Sequence, residues 1–307
     1  MAETLTPGGS PMRIYPPWLQ GWVSLCTKAV YAWLEDRAPT MGAAIAYYAV
    51  FSLAPILIIV IAVAGVAFGR QAAEGALFGE LADLVGAESA VAVQAILRSA
   101  SGTASGIFAT ALGIGTLIIA ATAVLSELQS ALNLIWKAPP SRGLGVWHLL
   151  RTRLVSLSVI LVIGFLLLVS LVVSTALAAL SGYLDWILPG LATILHIVHL
   201  TLSFGFTTVL FAMIFKILPD KAVEWGEVWL GAAVASLLFT VGKYLISLYI
   251  GSSNIASTYG AAGALIIILV WVYYSVQILL LGAEFAKAYA DQRRALRKLP
   301  QATRVAV

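Results

Sequence analysis

The 307-residue chain has one cysteine, Cys26, three histidines, and so few charges that Asp, Glu, Lys and Arg together make up 10% of it. A single thiol excludes an intrachain disulfide and any cysteine-built zinc cluster. The shortage of charge excludes an ordinary soluble domain, in which roughly a quarter of residues are charged. A surface that faces lipid needs few charges, and 61% of residues are hydrophobic. The net charge of +4 comes without Lys/Arg runs interleaved with exposed aromatics, so nucleic acid is not an expected partner.

Catalytic signatures are missing as well. There is no P-loop, no GxSxG elbow, no paired-carboxylate motif and no HxHxDH-like run. The histidines are His148, His196 and His199, and the last two fall inside an apolar run. Zinc wants three or four ligands, so no metal site is expected. The longest polar segments, of about 30–40 residues, are too short for an independent catalytic domain. No enzymatic activity and no cofactor are expected.

What the chain does have is long stretches free of Asp, Glu, Lys and Arg: 38–69, 99–126, 154–184, 186–215 and 244–283. Unpaired charge in hydrocarbon is costly, so runs of 18 or more apolar residues read as membrane helices. The last run is about twice a bilayer's thickness at ~1.5 Å per residue, and splits at the polar turn from Gly251 to Gly260. The fold class predicted is all-α, a polytopic bundle of six transmembrane helices at about 43–68, 103–125, 155–181, 190–215, 227–250 and 261–286. The apolar sequence begins near Met41, too far in for a cleaved signal peptide.

Around this 18–290 membrane domain, residues 1–17 are Pro/Gly-rich and expected to be disordered, and 291–307 form a basic tail. Trp18, Trp22, Leu25, Ala29 and Trp33 recur at three or four residues, predicting an amphipathic helix at the headgroup level. Residues 69–100 set Glu74, Glu80, Asp83 and Glu88 among aliphatics and read as amphipathic helix on the far side. Gly102/Gly106 and Ala109/Gly113 have the small-residue spacing that lets helices approach closely.

Fifteen of the eighteen Lys and Arg residues fall on the side that holds both termini, and only Arg70 and Arg98 fall opposite. By the positive-inside rule both termini are cytoplasmic. The exception is Lys243, about 10 Å inside the outer end of the fifth span at helical rise. His196 and His199 reach a similar depth on the fourth span and share a face, with Asp185 in the preceding loop. Such a set suits an anionic headgroup or solute, or proton relay; Lys243 snorkelling to the interface is the plainer alternative.

A second polar set lies toward the cytoplasm. Pro55 cannot donate to the Phe51 carbonyl, which predicts a kink beside Ser52 and Tyr48. Gln277 and Glu284, seven apart, share a face of the sixth span, and Glu127 closes the second. These groups suit a cation or proton path, or hydrogen bonds that simply hold the bundle together. Glu284 can also pair with Lys287.

AAIAYYAVFSLAPILII (43–59), ALNLIW (131–136) and YGAAGALIIILVWVYYSVQILLLGAEF (259–285) resemble the YihY/virulence factor BrkB family of bacterial inner-membrane proteins. The resemblance covers roughly residues 25–290. It implies six spans in the cytoplasmic membrane and suggests transport of lipids or solutes. Some members carry the name ribonuclease BN, which the missing metal-ligand cluster argues against.

A non-ATP-driven transporter or lipid-handling protein is therefore expected, with the lipid bilayer and an anionic lipid or small solute as partners. A scaffold for envelope assembly is the alternative. With Cys26 replaced, His199→Cys and Lys243→Cys are expected to react with a membrane-impermeant maleimide. Silence at both positions would favour the scaffold.

Overall fold

The computed structural model describes residues 17–85, 93–94, 107–139, 164, 191–252 and 261–298. Residues 1–16, the Gly102/Gly106 pair, the third span at 155–181 apart from Gly164, Asp185, His148 and the tail beyond Lys298 lie outside the described residues. Seven helices run through them: α1 (Pro17–Glu35), α2 (Ala38–Phe68), α3 (Arg70–Val85), α4 (Ile107–Ile135), α5 (Leu191–Ile217), α6 (Trp225–Ser252) and α7 (Ala261–Lys298). No strand occurs among the described residues. Helices satisfy their own backbone polar groups, which lipid cannot do.

Three segments among the described residues are long and apolar enough to cross a membrane: Leu200–Ile217, Trp225–Ile246 and Leu265–Ala295. A fourth is α2, if the arms Ala38–Leu53 and Pro55–Ala62, which meet at 52°, count as one span. Pro55 removes a helical hydrogen bond at that bend. Just before it the Ser52 hydroxyl donates to the Ala120 carbonyl of α4. Gly164 rests on the same helix, where an added Cβ would sit 3.2 Å from Val60.

The expected end of the last apolar stretch at 286 is not the end of its helix. With 38 residues, α7 is about 57 Å long at helical rise, well beyond the roughly 30 Å hydrocarbon core. It carries a polar, helix-prone extension in the same rod. α7 packs against α6, α2 and α1, while α4 covers α2 and α5 covers α6. Trp136, Phe215, Ile45, Leu132 and Leu280 are the bulk of the core among these helices.

Lipid tails are as apolar as leucine, so burying leucine between membrane helices gains little; close van der Waals contact and polar pairs must hold them together. Both are present. On α6, Gly231 and Ala235 are four residues apart, as are Gly282 and Ala286 on α7. A Cβ built on Gly231 would overlap Ala286 and come within 2.7 Å of the Gly282 carbonyl oxygen. One built on Gly282 would lie 2.5 Å from the Ala235 Cβ. The two backbones therefore touch, and only glycine fits at either position.

Polar clasps cluster at the end of the bundle that holds the α5–α6 turn. Asp220 in that turn accepts from Asn133 at 2.7 Å and from Gln129 at 3.1 Å, both on α4, and its N–H donates to Asn133 at 2.8 Å. Lys221 donates to the Trp136 carbonyl at 2.8 Å, at the α4 C-terminus where a cation meets the helix dipole. Glu227, in the first turn of α6, is buried and accepts both arms of Arg294 from α7 at 2.9 and 2.8 Å.

Gly231→Leu and Gly282→Leu are each expected to destabilise the bundle by about 1–3 kcal/mol or more through overpacking, seen as a lower melting temperature and aggregation in detergent. Gly79→Ala, where nothing lies within 4 Å of the added Cβ, should be neutral or slightly stabilising. Equal behaviour of the three variants would remove the crossing as the constraint.

Candidate functional site

The most unusual group of side chains sits where α1 turns into α2, against α7. The turn is tight. Arg37 has φ 55, a left-handed conformation that costs a non-glycine residue of order 1–3 kcal/mol. Its N–H donates to the Leu34 carbonyl at 3.1 Å, and Pro39 stands in the first turn of α2. The turn directs Asp36 toward α7.

There the Lys287 ammonium lies 3.8 Å from Asp36 Oδ2 and 3.7 Å from Glu284 Oε2. The Glu284 side chain is fully buried, whereas those of Lys287 and Asp36 are mostly buried. Both distances exceed hydrogen-bond length, so this is one cation held loosely between two carboxyls. About two turns toward the middle of α7, the Gln277 amide donates weakly to the Ala38 carbonyl at 3.5 Å. It passes over Gly42, where any Cβ would collide with it.

Buried polar atoms nearly always have a hydrogen bond, and several here lack one. Among the described residues, Asp36 Oδ2, Gln277 Oε1 and both Glu284 carboxyl oxygens are buried without a hydrogen-bond partner. The Trp33 indole N–H, three residues before Asp36, is in the same state. With all three ionisable groups charged the set sums to −1, which one proton or one small cation would neutralise. Buried oxygens left open at a helix turn are what a transient ligand needs; a purely structural clasp looks like the doubly bonded Glu227–Arg294 pair instead.

The other candidates are placed as follows. Glu284 and Gln277 belong to this group, and Ser52 does not, being bonded to Ala120 near the bend of α2. Tyr48 is 41% exposed, with its ring edge-on to Tyr47. Glu127 is half-buried on α4. On the other side, Lys243 is half-buried on α6 and has no hydrogen bond or ion pair among the described residues. Its neighbour Gly242 faces the Tyr274 ring of α7. His196 and His199 lie on α5, their side chains outside the described residues. Asp36 was absent from the expected set; its only sequence signal is an acid directly before a turn marked by Pro39.

A sequence profile described as Virulence factor BrkB matches residues 29–306. Among curated proteins, a UPF0761 membrane protein of Ralstonia nicotianae is 30% identical over 82% of this chain and 55% of its own length. One from Azotobacter vinelandii is 31% identical over 85% of this chain and 62% of its own. Another, from Pseudoalteromonas translucida, is 26% identical over 92% and 89%. The chain thus spans little more than half the length of the first two. No solved structure matches it.

Lys287→Met, which leaves two carboxyls facing each other without their cation, should lower the melting temperature in detergent. Adding Glu284→Gln should restore part of the loss, a coupling of about 0.5–3 kcal/mol in a double-mutant cycle. Strict additivity would mean that Lys287 and Glu284 do not share one site.

Proposed function

The chain belongs to the virulence factor BrkB family, and on that premise we propose that this membrane protein is a non-ATP-driven transporter or lipid-handling protein of the bacterial inner membrane. It has no enzymatic activity of its own. The carrying observation is that Asp36 Oδ2 and both Glu284 carboxyl oxygens are buried around Lys287 without a hydrogen bond, with Gln277 Oε1 in the same state farther along α7. In this reading it is a cytoplasmic-side gate that opens when Lys287 exchanges partners or the set takes up a cation.

The arrangement in the membrane follows the charge pattern of the sequence: six spans, α4 among them, and both termini cytoplasmic. α1 serves as the interfacial helix. Leu25 and Ala29 bind it to Phe285 of α7, while Trp22, Val30, Tyr31 and Leu34 are exposed apolar groups suited to the headgroup region. On the cytoplasmic side Trp225 and Trp229 are also exposed, with the Lys216 ammonium 5.8 Å from the Trp225 ring centre, as in an aromatic belt. Lys243, with no hydrogen bond or ion pair among the described residues, would meet an anionic headgroup or solute from the outer side with His196, His199 and Asp185.

Reconstituted proteoliposomes test this with two readouts: transbilayer movement of a fluorescent phospholipid, and proton or cation flux under an imposed potential. The wild type should exceed protein-free vesicles in at least one, and Glu284→Gln, purified as a monodisperse protein, should abolish that activity. No movement in either assay would favour the envelope scaffold.

A further inference from the structure

A second feature lies at the opposite end of α2 and needs no transport to be real. Ile58, Ile61, Ala62, Gly65 and Val66 stand at i, i+3, i+4, i+7 and i+8, one face of the helix. They line a groove of about 260 Å³ closed at one end by Arg70 and Glu74 of α3. The chain reverses there through Gly69, at φ 85, whose N–H donates to the Gly65 carbonyl at 3.0 Å. Gly65 has no side chain to hold α3 away: a Cβ there would be 3.4 Å from the Arg70 Cα.

The groove is about 12 Å long at helical rise and smaller than the roughly 300 Å³ at which drug-sized pockets begin. That suits a length of hydrocarbon chain. At its mouth the Arg70 Nε donates to Glu74 Oε1 at 2.8 Å, and the Arg70 side chain is 74% exposed. Neither of the two terminal guanidinium nitrogens has a partner among the described residues, nor has Glu74 Oε2. A planar pair of N–H donors next to a free carboxylate oxygen offers one positive and one negative contact side by side.

We propose that this groove binds one acyl chain of a zwitterionic phospholipid, with its phosphate on Arg70 and its primary ammonium on Glu74. An anionic lipid would gain the arginine but meet Glu74 with no cation of its own. A choline headgroup has no N–H to donate.

Native mass spectrometry of the full chain in detergent, titrated with phosphatidylethanolamine, phosphatidylglycerol and diacylglycerol, tests the assignment. The wild type should retain one phosphatidylethanolamine in preference to the other two. Arg70→Gln should weaken that retention by about tenfold, the scale of a charge-assisted hydrogen-bond pair. Glu74→Gln should reverse the preference toward phosphatidylglycerol, and Ala62→Trp, a substitution at an exposed groove position, should abolish the bound lipid. Equal retention of both phospholipids by all four proteins, or of diacylglycerol as well as phosphatidylethanolamine, would mean annular adsorption only and overturn it. Since the gate around Glu284 lies at the other end of α2, Glu284→Gln should leave retention unchanged, so the site stands or falls apart from the transport reading.

Discussion

The backbone contact between α6 and α7 at Gly231 and Gly282 sets the position of everything else. In lipid, apolar side chains do not drive helices together, so the depth at which two helices lock depends on where their surfaces can touch. Two small-residue pairs spaced by four do this once, at one register. α7 is then fixed, and α2 and α1 are in turn packed on α7. At about 100° per residue, Glu284 projects roughly 200° from Gly282, nearly opposite the crossing. The face that grips α6 is dry and small; the face turned to α1 and α2 carries Gln277, Glu284 and Lys287.

The two turns that meet the C-terminal part of α7 differ in how their polar groups are used. Around the α5–α6 turn, Asp220, Lys221, Glu227 and Arg294 all have short, well-directed partners. Such pairs resist motion. At the α1–α2 turn the ion pairs are long and carboxyl oxygens are buried without hydrogen bonds; a left-handed non-glycine residue occurs at both places, Arg37 here and Lys137 beside the Lys221 clasp. Long ion pairs to buried carboxyl oxygens that lack hydrogen bonds mark the turn whose contacts cost less to rearrange. A firm α6–α7 spine beside a loosely closed turn is the division that the proposed gate requires.

Much of this was legible in the sequence, for physical reasons. Lipid leaves a strong mark: the charge-free runs locate α2 and α5 to within a few residues, and the polar turn from Gly251 to Gly260 that splits the last run separates α6 from α7. Helix ends were less visible, because hydropathy reports the solvent and not the hydrogen-bond ladder. α7 continues to Lys298 and α4 to Ile135 through polar residues that find partners elsewhere in the bundle, Arg294 on Glu227 and Asn133 on Asp220. The small-residue spacing was noticed at Gly102/Gly106, where it stands in one segment. The pair that touches, Gly231 with Gly282, is split between two helices fifty residues apart, and no single segment displays it. Gln277 and Glu284 were recognisable by their shared face, but Asp36, nearly 250 residues earlier, joins them only through the packing of α1 and α2 on α7.

The division between a fixed spine and a yielding turn is open to direct measurement by hydrogen–deuterium exchange of the full chain in lipid nanodiscs. Slow exchange is predicted for peptides spanning 228–236 and 279–287, and markedly faster exchange for those spanning 34–41. Uniform protection of all three segments would contradict the account.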